Sequence, residues 1–283
     1  MAKIKRKARL NASVTLMEVS APLIAKKAQP GQFIILRVDE KGERIPLTIA
    51  DYDRDAGTVT IIFQKVGLTT ELLDALEAGD SILDFVGPLG TATEVDESVK
   101  RVAVIGGGVG CAIAFPQAKA LHARGVQVDV IAGFRSKDIV ILEEEFKANC
   151  SQLYLTTDDG SYGEKGLVTD QLKRLIDAGA QYDLVIAIGP IIMMKFVCKT
   201  TQPYGIKTLV SLNPIMIDGT GMCGGCRVNV GGRVKFACVD GPDFDGHQVD
   251  FDELMTRNAA YHEREAETKQ THLCRLQQWK EGV

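Results

Sequence analysis

The chain has no long apolar run. Its longest strongly apolar uncharged stretch, Leu184 to Met194, falls short of the roughly 20 residues a membrane-spanning helix needs, and Gly189 and Pro190 interrupt it. There is no surplus of either charge. Lys plus Arg number 33 and Asp plus Glu 37 in 283 residues, a net charge of -4, so no broad cationic surface is available for a nucleic-acid backbone. The basic start, Lys3, Lys5, Arg6, Lys7 and Arg9, runs into Asn11, Ala12 and Ser13 where a secretory signal would carry an apolar core, and reads as a solvated lead into a strand. A soluble cytoplasmic protein with no membrane and no nucleic-acid partner is expected. Histidine is scarce, and His122, His247, His262 and His272 show no catalytic pairing. Seven cysteines, an odd number in a chain of this length, favour metal binding or redox chemistry over a disulfide framework. What remains, 45% hydrophobic and 25% charged residues, is globular composition with length for about two domains.

Up to about Leu83 the chain offers short strand-like runs, Val14 to Met17, Phe33 to Val38, Thr58 to Phe63 and Ser81 to Phe85, separated by turn residues. A small antiparallel barrel follows, interrupted by one helix near Thr69 to Ala78 that Gly79 ends. From Arg101 the pattern alternates. Val102 to Ile105, Val128 to Ala132, Leu153 to Thr156, Leu184 to Ile188 and Thr208 to Leu212 read as strands; Cys111 to Ala123, Val168 to Ala178 and Ile191 to Thr201 read as helices. That alternation predicts a parallel, doubly wound sheet. The fold class is therefore a β barrel plus α/β. The expected divisions are residues 1–98 for the barrel, 99–213 for the Rossmann-like domain, 214–248 for a cysteine module and 249–283 for a helical tail with Phe251, Leu254 and Met255 on one side near its start.

The most specific feature is Asp218-Gly-Thr-Gly-Met-Cys223-Gly-Gly-Cys226, with Cys238 eleven intervening residues later. Between them, Arg227 to Phe236 alternates around Gly231-Gly232, a hairpin signature that carries Cys238 back to the Cys223/Cys226 pair. Plant-type 2Fe-2S loops use Cys-x4-Cys-x2-Cys and a distant fourth Cys; this loop has that spacing with Asp218 in the first position. The reading is a cluster held by Asp218, Cys223, Cys226 and Cys238. A structural zinc ribbon and plain buried thiols are the alternatives. Cys111, Cys150, Cys198 and Cys274 have no ligand spacing and read as small buried hydrophobes.

Gly106-Gly107-Gly108-Val109-Gly110 sits between a strand and a helix, where glycines admit a pyrophosphate to the helix N-terminus. A tight bend with no ligand is the bland alternative. Asp129, at about the place of the usual ribose-binding acid, lies inside the second strand. Asp158-Asp159 and Gly189-Pro190 follow later strands, at the end of a parallel sheet where ligands bind, or are simple polar turns. In the barrel, Arg44-Ile45-Pro46-Leu47-Thr48 and Gly67-Leu-Thr69-Thr70 are individually weak; Thr69 or Thr70 would serve equally as a helix cap.

The order of these motifs resembles the ferredoxin-NADP reductase superfamily, in which a barrel binds flavin and a following domain binds nicotinamide nucleotide. The chain looks like the electron-transfer subunits of B-type dihydroorotate dehydrogenase and, closer still, of electron-bifurcating NADH-dependent reduced ferredoxin:NADP oxidoreductase. Asp218 discriminates, since the dihydroorotate branch has a fourth cysteine there. Phe236-Ala-Cys238-Val-Asp-Gly-Pro-Asp-Phe244 looks like the bifurcating branch too. The resemblance implies that Ile45 to Thr48 fall on the flavin motif, with Leu47 against the isoalloxazine and Thr48 near N5. The motif arginine falls on Ile45, with Arg44 one place early, so the FAD pyrophosphate falls to Arg44 or to amides around Gly67 to Thr70. It also implies NAD(H) at Gly106 to Gly110. Arg135 would suit a 2′-phosphate and Asp158-Asp159 would repel one; the resemblance favours NAD. Ile188 stands where a nicotinamide-facing cysteine often precedes Gly-Pro, so no thiol is expected there. The implied function is hydride exchange between NAD(H) and FAD, then single electrons through the 2Fe-2S cluster to or from a larger FAD and iron-sulfur subunit in a heterodimer, which reaches ferredoxin. The rivals are the dihydroorotate subunit and a zinc-stabilised nucleotide-binding regulator.

Overall fold

Runs rich in Val, Ile and Thr, set between turn residues, form the first seven strands. In the computed structural model, which describes residues 1–261, 263–268 and 271, these are β1 (Ala2–Arg9), β2 (Val14–Ser20), β3 (Phe33–Arg37), β4 (Ile45–Asp53), β5 (Thr58–Gln64), β6 (Ser81–Ile82) and β7 (Asp84–Leu89). They pair antiparallel in the order β6-β1-β2-β5-β4-β3-β7 and curl into a nearly closed barrel. Helices α1 (Pro22–Lys27) and α2 (Leu68–Ala75) add Ile24, Ala25 and Leu73 to a core of Met17, Val19, Ile34, Leu36, Ile49, Val59, Ile61 and Phe63.

Several boundaries differ from expectation. The run Ser81 to Phe85 divides at Leu83, and α2 stops at Ala75 because Leu76 is already extended; Gly79, at φ 102, turns the chain further on. The basic start is a full strand rather than a solvated lead. Three of its cations are matched: Arg6 pairs with Glu18, Lys7 with Glu77, and Arg9 reaches the buried Asp74, which Lys65 beyond β5 also reaches. β4 was not expected as a strand, since Pro46 and the polar residues Thr48, Asp51 and Asp53 break its pattern.

The second half is α/β. It contains β8 (Arg101–Gly107), α3 (Gly110–Ala123), β9 (Gln127–Phe134), α4 (Glu143–Ala148), β10 (Gln152–Thr157), β11 (Glu164–Lys165), α5 (Val168–Asp177), β12 (Leu184–Ile188), α6 (Ile191–Thr201) and β13 (Lys207–Ser211). Then follow the hairpin β14 (Arg227–Val230) and β15 (Arg233–Phe236), α7 (Ala237–Asp240), β16 (Asp243–Asp245) and α8 (Phe251–Asn258). The sheet order is β11-β10-β9-β8-β12-β13-β16, parallel except for β16. β16 was not expected: it is three residues long and comes from beyond the cysteine loop, yet it closes the sheet's edge on β13. In α8, Phe251 and Leu254 are buried. His262, His272, Cys274 and most of the expected tail lie outside the described residues, and among the described residues no helix is long and apolar enough to cross a membrane.

Asp129 is fully buried in β9, where its carboxylate accepts from Arg101 (2.6 and 3.2 Å) and from the Tyr182 hydroxyl (2.8 Å). It is a structural acid beneath the sheet. Asp129→Ala strands both partners and is expected to destabilise the protein by about 3 kcal/mol, the low end for a buried pair because Arg101 keeps some hydration. A denaturant midpoint unchanged from the parent refutes this.

Candidate functional site

The cysteine loop is shaped by its hairpin. β14 and β15 pair from Arg227↔Phe236 to Val230↔Arg233, and Gly231 (φ 59) and Gly232 (φ 73) both take the positive φ of a type I′ turn. The return brings the buried Cys226 and Cys238 together with sulfurs 3.2 Å apart. Cys223 is exposed, and its sulfur accepts from the Gly225 amide at 3.5 Å. The Asp218 carboxylate accepts from the amides of Thr220 (2.9 Å) and Cys223 (3.0 Å). Those amides, Thr220 foremost, hold it below the ordinary carboxylate range, so it stays ionised as a ligand must. Burial and the adjoining Cys226 push the Cys238 thiol up to about 12; the Gly221 amide and the Asp218 charge also act on it, so the loop faces the pair. Among the described residues no three Cys, His, Asp or Glu side chains already stand within metal-holding reach. The fold assembles Cys226 with Cys238 and leaves Asp218 and Cys223 on the flanking loop. Three thiols, a carboxylate and amides aimed at sulfur are a donor set that fits an iron-sulfur cluster.

β3 stands between this loop and the flavin motif. A Cβ on Gly219 would lie 2.7 Å from Ile35 Cδ1 and 2.8 Å from Leu89 Cδ1, so the loop backbone rests directly on both side chains. On its other edge β3 pairs with β4 as Phe33↔Thr48, Ile34↔Leu47, Ile35↔Pro46 and Leu36↔Ile45. The cluster loop and the motif thus share β3: the loop rests on the Ile35 side chain, and Pro46 stands opposite Ile35 on the neighbouring strand. Ile45, Pro46, Leu47 and Thr48 are all half-buried, and Arg44 is exposed with no ion-pair partner among the described residues. At the start of α2, a Cβ on Gly67 would meet open space. The Thr70 hydroxyl is engaged as a cap: it accepts from the Val66 and Gly67 amides (3.0 Å each) and donates to the Gly67 carbonyl (2.8 Å). Thr69 is buried, so this segment has backbone amides of the first helical turn to offer an anion.

The glycine turn follows β8, at the point where the strand order reverses between β9 and β12. Three of its glycines are demanded by packing: a Cβ would lie 2.7 Å from Cys111 Sγ at Gly106, 2.5 Å from Met193 Sδ at Gly107 and 2.5 Å from the Ile188 carbonyl at Gly110. Gly108 differs, with φ 56 and nothing within 4 Å, and faces open space at the N-terminus of the 14-residue α3. A Cβ on Gly189 would lie 3.1 Å from the Gly107 amide, so the Gly189-Pro190 loop closes on the same turn. The exposed Asp158 and Asp159 line up beside Phe134 and Arg135 through Asp158 N to Phe134 O (3.0 Å) and Asp159 N to Arg135 O (3.2 Å). Ser161 hydrogen bonds keep Asp159 below its usual range.

The iron-sulfur cluster binding domain of dihydroorotate dehydrogenase B matches residues 213–250, the span that carries all four candidate ligands. A dihydroorotate dehydrogenase B (NAD(+)) electron transfer subunit homolog from Thermotoga maritima is 47% identical over 93% of this chain and 92% of its own length. The electron transfer subunit from Geobacillus thermodenitrificans is 35% identical over 82% of this chain and 91% of its own. The chain belongs to the dihydroorotate dehydrogenase B electron transfer subunit family. This family member also matches a solved NADH-dependent reduced ferredoxin-NADP oxidoreductase structure, which concerns flavin-based electron bifurcation, with 45% identity and a TM-score of 0.91 over 96% of this chain and 98% of the other. Sequence reasoning about this electron transfer subunit missed Phe33 and Ile35, which no motif marks and which pack in one core with Cys226 and Cys238. It also missed Met193, whose sulfur sits against the glycine turn. The thiols of Cys150 and Cys198 are pushed up by burial, to about 11 and about 12, and that of Cys111 further, as expected of cysteines that only pack.

Proposed function

We propose that this chain is the electron-transfer flavoprotein subunit of a cytoplasmic bifurcating complex, exchanging hydride between NAD(H) and FAD and passing single electrons through a 2Fe-2S cluster to or from a larger FAD and iron-sulfur subunit that reaches ferredoxin. The observation that carries this reading is the position of β3, with the cysteine loop on Ile35 and the flavin motif in register on its other edge. Bound FAD supplies the two-electron to one-electron conversion, since a nicotinamide gives a hydride and a cluster takes one electron at a time. The protein's part is placement. Leu47 would give the isoalloxazine an apolar face and Thr48 a hydroxyl, while Arg44 or the amides of Leu68, Thr69 and Thr70 would take the FAD pyrophosphate, the Gly67 amide being engaged by the Thr70 hydroxyl. Gly108 and Val109 leave space for the NAD(H) pyrophosphate at the head of α3. Asp158, Asp159, Gly189 and Pro190 bound that site, whose other glycines, Gly106, Gly107 and Gly110, let the loops meet. Asp218, Cys223, Cys226 and Cys238 hold the cluster.

Anaerobic purification tests this: flavin and cluster absorption are expected, bleached together by NADH. A colourless preparation with stoichiometric zinc overturns it and favours the nucleotide-binding regulator. The matched cluster-binding domain supports a second reading, service to a dihydroorotate-oxidising chain; Asp218 in the first ligand position favours the bifurcating complex. NADH formation from dihydroorotate with such a chain would reverse that order.

The larger subunit is expected to cover the cluster loop. Ile217 (54% exposed), Met222 (88%) and Val239 (44%) are unusually open for apolar residues, and an added Cβ on Gly221 would contact Val239, on Gly225 Ile217. Met222→Asp is expected to weaken association by roughly 30-fold or more, the scale of a hot-spot residue at about 2 kcal/mol, with cofactor spectra unchanged. Equal affinity by titration calorimetry removes this face from the interface.

A further inference from the structure

Asp243 belongs to the Gly-Pro-Asp-Phe stretch soon after Cys238, and none of the three cofactor sites uses it. It lies on β16, opposite Ser211 of β13, and faces the segment that links barrel to α/β sheet. Its Oδ2 accepts from the Thr93 hydroxyl and from Gln117 Nε2 (3.2 Å), and the Ser211 hydroxyl lies beside the carboxyl. Oδ1 is shut off from solvent and has no partner. Thr93 is itself tied to the barrel by its amide on the Pro30 carbonyl (2.9 Å). Beside it the linker is sewn to the cluster module: Thr91 N donates to Gly241 O (2.7 Å) and the Thr91 hydroxyl to Val239 O (3.2 Å). The space is closed, for a Cβ on Gly31 would lie 2.2 Å from Thr93 Oγ1 and 3.3 Å from Asp243 Oδ2. One carboxyl thus joins barrel linker, α3, β13 and cluster module.

No positive charge accompanies it. The groups facing it are the neutral Thr93, Ser211 and Gln117; on α3, Lys119 turns to Asp51, and along β16 Asp245 turns its carboxylate to His247 and Gln248. A carboxylate here would leave Oδ1 charged, dry and unpaired, which burial penalises heavily. Gln117 Oε1 is likewise buried without a donor, so the seam holds two orphaned acceptor oxygens, and a proton on the carboxyl removes the charge from one of them.

We propose that Asp243 is held as the neutral acid and is a positioning residue that fixes the cluster module against the flavin barrel, so that its ionisation loosens the spacing between the two redox sites. This rests on the proposed function for its electron-transfer consequence, but not for its effect on stability. Burial raises the carboxyl above its unfolded value. The stabilising contribution is therefore complete below the ordinary carboxylate range and is lost as pH rises through the raised value.

The test uses the full-length holoprotein, parent and Asp243→Asn, in pH-resolved thermal unfolding and in stopped-flow reduction by NADH with flavin and cluster followed separately. The parent is expected to lose stability on the alkaline side of that titration, and its flavin-to-cluster rate to fall roughly tenfold per pH unit beyond it, as the neutral fraction does. Asp243→Asn, an isostere of the neutral acid, is expected to show neither loss. Thr93→Val removes a bond that favours the charged form and is expected to move the parent's transition to higher pH. Coincident pH curves for parent and Asp243→Asn, or an unmoved transition in Thr93→Val, overturn the proposal even in fully loaded protein. Protein that binds no flavin or cluster refutes the proposed function instead, and the unfolding curves still decide the role of Asp243.

Discussion

Cys226→Ser is expected to abolish the cluster's visible and electron paramagnetic resonance signals while leaving flavin bound and reducible by NADH. Cys226 is 1% exposed and one half of the only sulfur pair the cysteine loop closes among the described residues. A serine oxygen is a hard donor in place of a soft thiolate, and the loss breaks the one sulfur pair of the loop, leaving Asp218, Cys223 and Cys238 one soft donor short of a full set. The residues proposed to hold flavin stand on β4 and at the head of α2, and none of the β4 backbone pairing passes through residue 226. The buried hydroxyl is expected to destabilise the fold by about 1–3 kcal/mol, less than the ordinary stability of a folded domain. Electron delivery to the larger subunit should fall by orders of magnitude while NADH-to-flavin transfer survives. Loss of flavin together with the cluster would show that the two sites do not form independently.

Gly110→Ala is expected to have the second largest effect, and on the other substrate. The added methyl would sit 2.5 Å from the Ile188 carbonyl and 2.8 Å from Gly189 Cα, both backbone atoms that no side-chain rotation can move. The β8 turn and the Gly189-Pro190 loop must separate, at about 1–3 kcal/mol for overpacking. The head of α3 is displaced from the position in which its amides serve a pyrophosphate. Affinity for NADH should drop by about tenfold or more, the equivalent of 1.4 kcal/mol, with flavin and cluster spectra intact. Unchanged NADH binding in a fluorescence titration would place the nucleotide elsewhere.

The alternating half of the fold was legible because parallel strands are buried on both faces. Leu184–Ile188 is an unbroken buried apolar run, and Ile191–Thr201, starting straight after Gly189-Pro190, is too long for another such strand. The barrel was less legible. β1 alternates Ile4 with cations whose partners, Glu77 and Asp74, come from the far side of the sequence, and β4 contains a proline. β16 is three residues whose only reason to be a strand is the edge of β13, a tertiary cause that no local pattern records. The cluster-binding segment was legible from the spacing of its candidate ligands, because chelation by a short loop fixes the intervals between donors. The glycines near residue 110 were legible as a motif but for an incomplete reason, since three of the four are there for the contact of two loops. Ile35, the side chain on which the cluster loop rests, looks in sequence like any other residue of a barrel core.

The late arrival of β16 bears on how the molecule is made. Every other strand of the second sheet is synthesised before the cysteine loop, and β13 must wait with an unpaired edge until residues 243–245 emerge. An exposed edge of Leu209, Val210 and Ser211 is a template for pairing with another chain. The segment that shields it is continuous with the one that takes up iron. A cell short of iron would therefore face an association hazard as well as an inactive enzyme, and soluble yield should follow how promptly the last forty or so residues fold onto the sheet.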